Sequence, residues 1–509
     1  MIAGPSAPGV VETHISTVFL VGERAFKLKK GLATAFLDWS TPAKRRQACR
    51  DEVALNRRLS PDVYLGVLDV VDERGRLQDA LVVMRRMPSE RSLEALVRAG
   101  EPVEDAVRAL ARLLADFHGG ARRDATSAAA ARPDAVARLW SGNLEELRSL
   151  HAGPGIGVEL DAIEHLAHSY QTGRAGLFAR RAAQGRSCDG HGDLQAADVF
   201  LLDDGPRVLD CLEFDPVLRA GDVLADVAFL AMDLERLGAA GVAAALLRAY
   251  RSLTGEDWPA SLADFWVAYR ALVRAKVALL RAPWDPGAPG QAEELLGLCR
   301  RHLEAATVRL VLVGGTPGTG KTTVASGLAD RTGWVHLATD EVRADLPPSA
   351  APAEVRGAGY GVGRYRAELV SATYRLLLER AESCLAAGES VVLDATWTSA
   401  GHRAAAAALA DRLGAHRVDI RCEIGMEEAL RRVRRRAAGG GRSELTPEIV
   451  RAIAERQDPW PGALPLDTAR PVAEVVEAAV AAATAPPPPG RHEGTFGPSS
   501  PVPPRPAWS

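Results

Sequence analysis

The chain has 509 residues, 47% of them hydrophobic, and its formal net charge is -3 at pH 7. A chain of this length is too long for a single hydrophobic core, which predicts two or three domains. The nearly balanced charge argues against a nucleic-acid partner bound by bulk electrostatics. No apolar run of about 18 residues predicts a membrane span, and the first residues lack the basic start and apolar core of a secretory signal, so we expect a cytoplasmic protein without a membrane partner.

Cysteine and lysine usage narrows the choice of sites. The six cysteines form no C-x-x-C pair, so neither a zinc site nor a disulfide framework is indicated. Only six of the 62 basic residues are lysine. Because nearly all basic residues are arginine, we expect lysine at positions that need a compact ammonium group. The lysines among residues 27 to 30 and Lys321 are therefore candidate site residues.

The first 85 residues predict a small antiparallel sheet with one inserted helix. Strands are expected at residues 18–21, 25–29, 64–71 and 77–85. Lys27 and Lys29 share one face of the second strand because side chains alternate along a strand. A helix over residues 42–59 begins with Thr41 as N-cap and Pro42 as its first residue, and it carries Glu52.

Residues 92–184 predict a helical block, interrupted by a loop over the alanine-rich segment 122–132. Two strands at 199–202 and 208–212 then flank the turn Asp203-Asp204-Gly205. Asp193 lies in the loop before the first of these strands, and Asp210 lies within the second. Further helices are expected at 223–237, 240–254 and 262–282.

The order of lysine strand, glutamate helix, helical lobe, H-G-D loop and strand-borne aspartate resembles the aminoglycoside phosphotransferase branch of the protein-kinase-like fold, over residues 15–282. The resemblance implies that Asp193, in His191-Gly192-Asp193, is the catalytic base or orients the acceptor hydroxyl. Asp198 stands where the family usually has a metal-binding Asn, and it retains oxygen ligands while adding negative charge. Asp210 matches the second Mg²⁺ ligand of the family.

The resemblance also implies a lysine that anchors ATP. The alignment favours Lys29, with Lys27 as the alternative and Glu52 as the partner on the helix. Either Asp222 or Asp226 would brace the catalytic loop. The acidic residues Glu213, Asp215, Asp222 and Asp226 would suit a polycationic aminoglycoside, although acidic residues also belong to the metal site itself.

Residues 283–290 break the helical pattern and mark a domain boundary, and a bridging helix over 291–305 leads to a buried strand at 308–313. A complete G-x-x-x-x-G-K-[ST] motif follows this strand and opens a helix, the context of a phosphate-binding loop. Its main-chain amides cradle phosphates, Lys321 reaches the terminal phosphates, and Thr322 ligates Mg²⁺. The ATP-binding residues of this loop are Gly315, Thr316, Pro317, Gly318, Thr319, Gly320, Lys321, Thr322 and Thr323.

Two more predicted strands end in acidic residues. Asp340 and Arg343 follow a strand at 334–338, where Asp340 is placed to accept a hydroxyl proton and Arg343 to hold an anionic group. The alternative is an exposed ion pair between residues three apart. After a helical region at 364–387, Asp394 lies in a buried strand at 391–396, the place where a P-loop kinase has either a carboxylate for hydrated Mg²⁺ or a group that faces the substrate.

A strand at 416–422 precedes a basic helix over 427–436, followed by Gly439-Gly440-Gly441-Arg442. The basic run is either a solvated face or part of a mobile lid, in which case Arg435 would bind the transferring phosphoryl group. From residue 485 the sequence is proline-rich without periodicity, which predicts a disordered tail.

The second half resembles the small P-loop kinases grouped with gluconate kinase, shikimate kinase and the 5′-kinase module of polynucleotide kinase, over residues 307–465. We therefore expect a multidomain protein of α/β and α+β class. A protein-kinase-like two-lobed fold is followed by a P-loop α/β parallel sheet with helices on both faces. The expected division is an N-terminal segment 1–14, a kinase domain 15–282, a linker 283–306, a P-loop domain 307–484 and a tail 485–509.

The leading hypothesis is an ATP- and Mg²⁺-dependent phosphotransferase that acts on hydroxyl groups of small molecules at two nucleotide sites. A second hypothesis makes the N-terminal half a pseudokinase that regulates an active C-terminal kinase. A third makes the chain an ATP-responsive interaction protein without transfer. The sequence leaves the acceptor and the oligomeric state open.

Overall fold

The computed structural model describes residues 8–12, 15–33, 37–150, 154–346, 366–438 and 446–487. Its first sheet has five antiparallel strands in the order β1-β2-β3-β5-β4. They are β1 (Gly9–Glu12), β2 (Ser16–Val21), β3 (Arg24–Lys29), β4 (Tyr64–Val71) and β5 (Leu77–Arg85). The sheet therefore includes a strand upstream of residue 15, where the kinase domain was expected to begin.

Helix α1 (Pro42–Asn56) packs on this sheet as the sequence predicts. The Thr41 side chain accepts a hydrogen bond from the Lys44 amide, and Pro42 occupies the first turn. Alternation along β3 turns Ala25, Lys27 and Lys29 inward, so two lysines face the helix.

The next lobe is mainly helical. Its helices are α2 (Leu93–Arg98), α3 (Glu104–Gly120), α4 (Ala125–Ala130), α5 (Pro133–Leu150), α6 (Pro154–Gly173), α7 (Ala175–Ala183), α8 (Pro216–Arg219), α9 (Val223–Arg236), α10 (Ala240–Thr254) and α11 (Ala260–Arg281). Two small antiparallel pairs lie in the segment around Asp193 and Asp210. They are β6 (Ser187–Asp189) with β9 (Ala220–Asp222) and the hairpin β7 (Val199–Leu202) with β8 (Gly205–Val208).

Two local predictions are wrong. The segment 122–132 is not a continuous loop, because α4 forms there. Asp124 and Ser127 make a reciprocal capping box, and alanine favours the helix that follows. The second hairpin strand ends at Val208, so Asp210 lies outside it. The backbone leaves the hairpin because the amides of residues 209 and 211 bond to Asp198 and Asn56.

Helix α12 (Ala288–Ala306) packs along α11 and leads into the second sheet. That sheet is entirely parallel, in the order β11-β12-β10-β13-β14. Its strands are β10 (Arg309–Gly314), β11 (Val335–Ala338), β12 (Val391–Asp394), β13 (His416–Glu423) and β14 (Leu464–Asp467). Its helices are α13 (Lys321–Thr332), α14 (Thr339–Ala344), α15 (Ala367–Ala386), α16 (Ala400–Arg412), α17 (Met426–Ala438), α18 (Pro447–Glu455) and α19 (Val472–Thr484).

Helices cover both faces of this sheet. Val311 and Val313 of β10 join one hydrophobic cluster with α13 and α19, whereas Leu310 and Leu312 join another with α15 and α16. A strand buried on both faces is apolar at successive positions, which explains the short continuous apolar run that precedes the phosphate loop.

The two domains share one hydrophobic core. The cluster that contains Leu310 and Leu312 also contains helices of the kinase-like lobe and α12. Polar contacts reinforce this junction: Arg174 Nη1 donates to the Leu413 carbonyl at 2.5 Å, and Ser261 Oγ donates to the Gly388 carbonyl at 2.7 Å. A side chain at Gly414 would collide with the main chain of Ser169. The bridging helix is therefore part of a packed interface.

His302 of α12 forms a charged clamp within this interface. Its ring nitrogens lie 2.8 Å from Asp264 of α11 and 2.8 Å from Glu235 of α9. Burial alone would lower the pKa of His302, but hydrogen bonds to these two carboxylates outweigh burial and raise the pKa to about 9. Each pKa unit corresponds to about 1.4 kcal/mol.

We expect His302→Gln to lower the free energy of unfolding on the order of 3 kcal/mol near pH 6.5. Because the folded pKa is raised, the stabilisation is complete below the unfolded pKa of about 6.5 and is lost as pH rises through about 9. Urea unfolding of both proteins should show their difference shrinking over that range. A difference that does not change with pH would contradict the charged clamp.

None of the described helices is both long and apolar enough to cross a membrane.

Candidate active sites

Asp226 holds the loop His191-Gly192-Asp193 of the first domain. Its carboxylate accepts hydrogen bonds from the main-chain amides of His191 at 2.7 Å and Gly192 at 2.9 Å. Burial alone would raise the pKa of Asp226, but a hydrogen bond to His118 and attraction to His118, His191 and Arg270 hold this pKa well below its usual range. Asp222 has a different task, because it pairs with Arg181. Of the two residues considered, Asp226 therefore braces the loop.

His191 is part of the scaffold of this loop. Its Nε2 donates to the Leu209 carbonyl at 3.0 Å, and burial lowers the pKa of the ring. The neutral imidazole ties the catalytic loop to the segment that carries Asp210. This contact fixes the distance between the two acidic segments.

Asp210 has an unusual backbone conformation. Its φ is 62°, in the left-handed region that non-glycine residues rarely adopt. Its amide donates to the Tyr64 hydroxyl at 3.1 Å, and the next amide, of Cys211, donates to Asn56 Oδ1 at 2.9 Å. Strain of this kind persists where surrounding contacts impose it, as at ligand sites. The result is a carboxylate held out into the cleft, with 52% of its side chain exposed.

The two lysines of β3 make different contacts. Lys29 is fully buried, with Nζ 2.6 Å from Glu52 and 2.6 Å from Glu213, and 4.3 Å from the centre of the Trp39 ring. Lys27 bridges Glu52 at 3.0 Å and Asp210 at 2.6 Å. Burial opposes the charge on Lys27, but attraction to Asp210 and Glu52 keeps its pKa well above the usual value. Lys27 is thus the lysine beside the exposed carboxylate.

Three carboxylates of this cleft influence one another. Burial, and then repulsion from Asp210 and Asp193, raise the pKa of Asp198 well above its ordinary value. Burial also raises the pKa of Asp193, whereas attraction to Lys27 lowers that of Asp210. A divalent cation would relieve this repulsion, so the donor set fits Mg²⁺. Within the described residues no three His, Cys, Asp or Glu side chains enclose a metal, and Mg²⁺ commonly needs only one or two carboxylates plus substrate phosphates.

The second site is built at the carboxyl end of β10. Gly315, Gly318 and Gly320 have φ values of 135°, 90° and 89°. A Cβ at Gly315 would lie 2.5 Å from the Cys422 carbonyl oxygen, and one at Gly318 would lie 2.5 Å from that of Ala429. Glycine is therefore required both for the loop conformation and for its packing against β13 and α17.

Two contacts orient the polar side chains of this loop. Lys321 Nζ donates to the Thr316 carbonyl at 3.1 Å, and burial lowers the pKa of the lysine. Thr322 Oγ1 donates to Asp394 Oδ2 at 2.6 Å, which brings together the two residues predicted as Mg²⁺ ligands. Pro317 and Thr319 are buried in the loop, whereas Thr323 is exposed on the first turn of α13.

Asp340 and Arg343 form the i,i+3 ion pair that the sequence leaves as an alternative. Arg343 Nη1 lies 2.9 Å from Asp340 Oδ1, and the Asp340 side chain is 90% exposed. Arg343 Nε is buried and has no hydrogen-bond partner among the described residues. The pair lies near the phosphate loop, because Thr339, next to Asp340, donates to the main-chain oxygen of Asp394.

The basic helix α17 contacts the loop through a residue that the sequence does not single out. Arg435 is exposed, whereas Arg432 Nη2 donates to the Thr468 carbonyl at 3.0 Å, and its guanidinium lies beside Gly320. Glu428 pairs with Arg432 four residues on, but Glu427 has the same spacing to Arg431, so the sequence alone does not single out Arg432. The lid segment at 439–442 lies outside the described residues.

Trp397 is a second residue that sequence reasoning missed. It follows β12, is fully buried and has a φ of 51°, an outlier for a bulky side chain. The Tyr374 hydroxyl accepts a hydrogen bond from the Trp397 amide at 3.0 Å, and Arg403 Nη1 donates to the Trp397 carbonyl at 2.6 Å. The neighbouring Thr396 carbonyl accepts from Gly315, so this turn supports the start of the phosphate loop.

A cavity of about 480 Å³ lies beside the phosphate loop. It is bounded by Gly315, Thr316 and Thr319 and by the ends of β13 and β14. Arg421 Nε and Gln457 Nε2 in its lining are buried without hydrogen-bond partners among the described residues. This space adjoins the phosphate loop and offers polar contacts to a bound ligand.

Comparison with known proteins gives matches to both halves. The model of the phosphotransferase enzyme family matches residues 16–263, and the model of an AAA domain matches residues 310–460. Uncharacterised proteins of Mycobacterium bovis and Mycobacterium tuberculosis are 42% identical over 464 residues, which are 91% of this chain and 92% of theirs.

Solved structures similar to each half are more distant. A choline/ethanolamine kinase family protein from Mesorhizobium loti is 16% identical, with 60% of this chain and 94% of that chain covered, at a TM-score of 0.36. An APS kinase from Mycobacterium tuberculosis is 19% identical, with 34% of this chain and 96% of that chain covered, at a TM-score of 0.27.

Proposed function

The chain belongs to the family of its mycobacterial relatives and joins a domain of the phosphotransferase enzyme family to a P-loop kinase domain, and from this we propose that it transfers the γ-phosphoryl group of ATP at two separate sites. The acceptor at each site is a hydroxyl group of a small molecule. The observation that carries the proposal is that each half has its own lysine and acidic group. In the first half Lys27 pairs with Glu52 and Asp210. In the second half Lys321 lies on the phosphate loop and the Thr322 hydroxyl bonds to Asp394.

In the first site Lys27 is the better candidate to anchor ATP phosphates. It lies beside the exposed Asp210 while Glu52 holds it from α1, whereas Lys29 is enclosed by Glu52, Glu213 and Trp39. Asp193 accepts the proton of the acceptor hydroxyl. At the same time the hydroxyl oxygen forms a bond to the γ-phosphorus of ATP, and the bond between this phosphorus and ADP breaks. Mg²⁺ held by Asp198 and Asp210 would neutralise phosphate charge.

In the second site the main-chain amides of the glycine loop and the start of α13 bind phosphate oxygens. Lys321 leaves the Thr316 carbonyl to contact the terminal phosphates, and Arg432 adds positive charge beside Gly320. Thr322 and Asp394 would hold Mg²⁺. Asp340 remains the proposed acceptor of the hydroxyl proton, for which it must separate from Arg343.

Nucleotide stoichiometry tests the proposal of two sites. We expect equilibrium dialysis with Mg²⁺ and AMP-PNP to give two nucleotides bound per full-length chain and one per Lys321→Ala chain. The reason is that Lys321 contributes to the second site alone. Lys276→Ala serves as the control, because Lys276 pairs with Glu146 on the kinase-like lobe. A stoichiometry of one in the wild type would contradict the proposal.

Phosphoryl transfer is tested by detecting a phosphorylated product. Full-length protein is incubated with labelled ATP and a panel of hydroxylated metabolites, and phosphorylated compounds are identified by mass spectrometry. Loss of ATP without a phosphorylated product would favour an ATP-responsive interaction protein.

A regulatory N-terminal domain is a second candidate function, motivated by Asp198 in place of Asn. On that alternative the first site binds nucleotide without transfer and controls the second. It predicts that no product depends on Asp193, although binding of AMP-PNP still reaches two per chain.

A further inference from the structure

The first site differs from a pocket for polycations in how its acidic residues are used. Glu213 is bonded to Lys29, and Asp215 caps α8 by accepting a hydrogen bond from the Val217 amide. Asp222 forms two hydrogen bonds with Arg181, at 2.6 and 2.7 Å, and Asp226 holds the catalytic loop. None of these four carboxylates is left to bind a cationic acceptor.

Helix α11 brings positive charge to the same place. Arg270 Nε donates to the Ala225 carbonyl at 2.9 Å, and its Nη1 lies 3.4 Å from the carbonyl of Gly192, next to Asp193. Arg270 also stacks against Phe229. These contacts fix this face of α11 against the catalytic loop.

Arg274 follows Arg270 by one helical turn and lies on the same face. Arg270 contacts the loop at Gly192, the residue before Asp193, so Arg274 lies one turn along the helix face that packs against this loop. Its positive charge opposes the rise that burial causes in the pKa of Asp193. Within the described part of the chain Arg274 has neither a hydrogen bond nor an ion pair. Arg274 is a half-buried cation that no described residue engages in a hydrogen bond, on the helix face that contacts the catalytic loop.

We propose that Arg274 binds an anionic group of the acceptor, so that the first site phosphorylates an alcohol that carries a phosphate or carboxylate and not a polycationic aminoglycoside. A guanidinium binds such oxyanions through paired hydrogen bonds. This inference rests on the proposed transfer at the first site and specifies its substrate class.

The test uses the full chain with Lys321→Ala, which leaves the first site as the one expected to bind nucleotide. The protein is saturated with Mg²⁺ and AMP-PNP so that the γ-phosphate position is filled. Inorganic phosphate and kanamycin are then titrated separately by calorimetry. We expect phosphate to bind and kanamycin not to bind.

Adding Arg274→Ala should weaken phosphate binding roughly 10- to 100-fold, because a charge-assisted contact is lost, and Arg274→Lys should retain part of the affinity. Arg248→Ala, an exposed arginine on α10, is the matched control and should change nothing. Circular dichroism confirms that the variants fold.

The outcomes distinguish failure of nucleotide binding at the first site from failure of the anionic acceptor. Absence of AMP-PNP binding would overturn the proposed function and this inference with it. If AMP-PNP binds but phosphate does not, or phosphate binding is indifferent to Arg274, or kanamycin binds instead, the anionic acceptor is rejected while nucleotide binding at the first site stands.

Discussion

Lys321→Ala should lower the rate of transfer at the second site by about 1,000-fold, because a preorganised cation at the transferring phosphoryl group is lost. The structure shows Lys321 half-buried and bonded to the loop carbonyl of Thr316. The rate is measured on the acceptor of the second site found by mass spectrometry, in a chain that also carries Asp193→Asn so that transfer at the first site is strongly reduced.

The control for this prediction is Lys276→Ala in the same background, which removes a lysine from a surface pair with Glu146. That variant should keep the parent rate. Retention of more than about a tenth of the rate by Lys321→Ala would remove the phosphate loop from the mechanism, since loss of one preorganised donor typically costs 100-fold or more.

Asp193→Asn should lower the rate at the first site by about 100- to 10,000-fold, the usual contribution of a positioned general base. The substitution keeps the size of the side chain and removes the acceptor of the hydroxyl proton. Lys321→Ala is the background here, and the rate is measured as a function of ATP concentration at a saturating concentration of acceptor. The loss should appear in kcat and leave the KM for ATP nearly unchanged.

Asp215→Asn is the matched control, because Asp215 lies in the same segment but caps α8. Asparagine is as good an N-cap as aspartate, so stability and rate should both be preserved. A rate for Asp193→Asn within threefold of its parent, with product still formed, would show that Asp193 is not the base.

The phosphate loop was predictable because its information is local. An apolar strand, three glycines and a lysine at fixed spacing define the conformation, and the structure requires glycine at Gly315 and Gly318 for the packing it shows. The parallel sheet followed from apolar runs buried on both faces. The match to both families confirms the resemblance that these patterns indicated.

Residues defined by long-range contacts were not predictable to the same degree. Lys27 and Lys29 have the same local pattern, and the contacts that distinguish them come from Asp210 and Glu213, more than 180 residues away in sequence. Asp210 was expected in a strand because its neighbours are apolar. Tyr64 and Asn56 impose its left-handed conformation, and nothing in the segment itself announces this.

Arg432 and Arg274 could not be singled out from the sequence. In a chain where most cations are arginine, composition does not show which arginine meets a loop. The choice depends on helix rotation against a neighbour, as when α17 turns Arg432 towards Thr468 and leaves Arg435 in solvent. Only tertiary packing supplies that information.

The orientation of the second sheet determines the edge at which ligands of its phosphate loop enter and leave. Gly388 and Gly414, which contact the kinase-like lobe, precede β12 and β13, whereas the phosphate loop follows the opposite end of β10. Six residues of strand separate these edges by about 20 Å. The phosphate loop therefore lies at the edge of the sheet remote from this contact, so under the proposed function a product made there is released at the edge remote from the junction of the two domains.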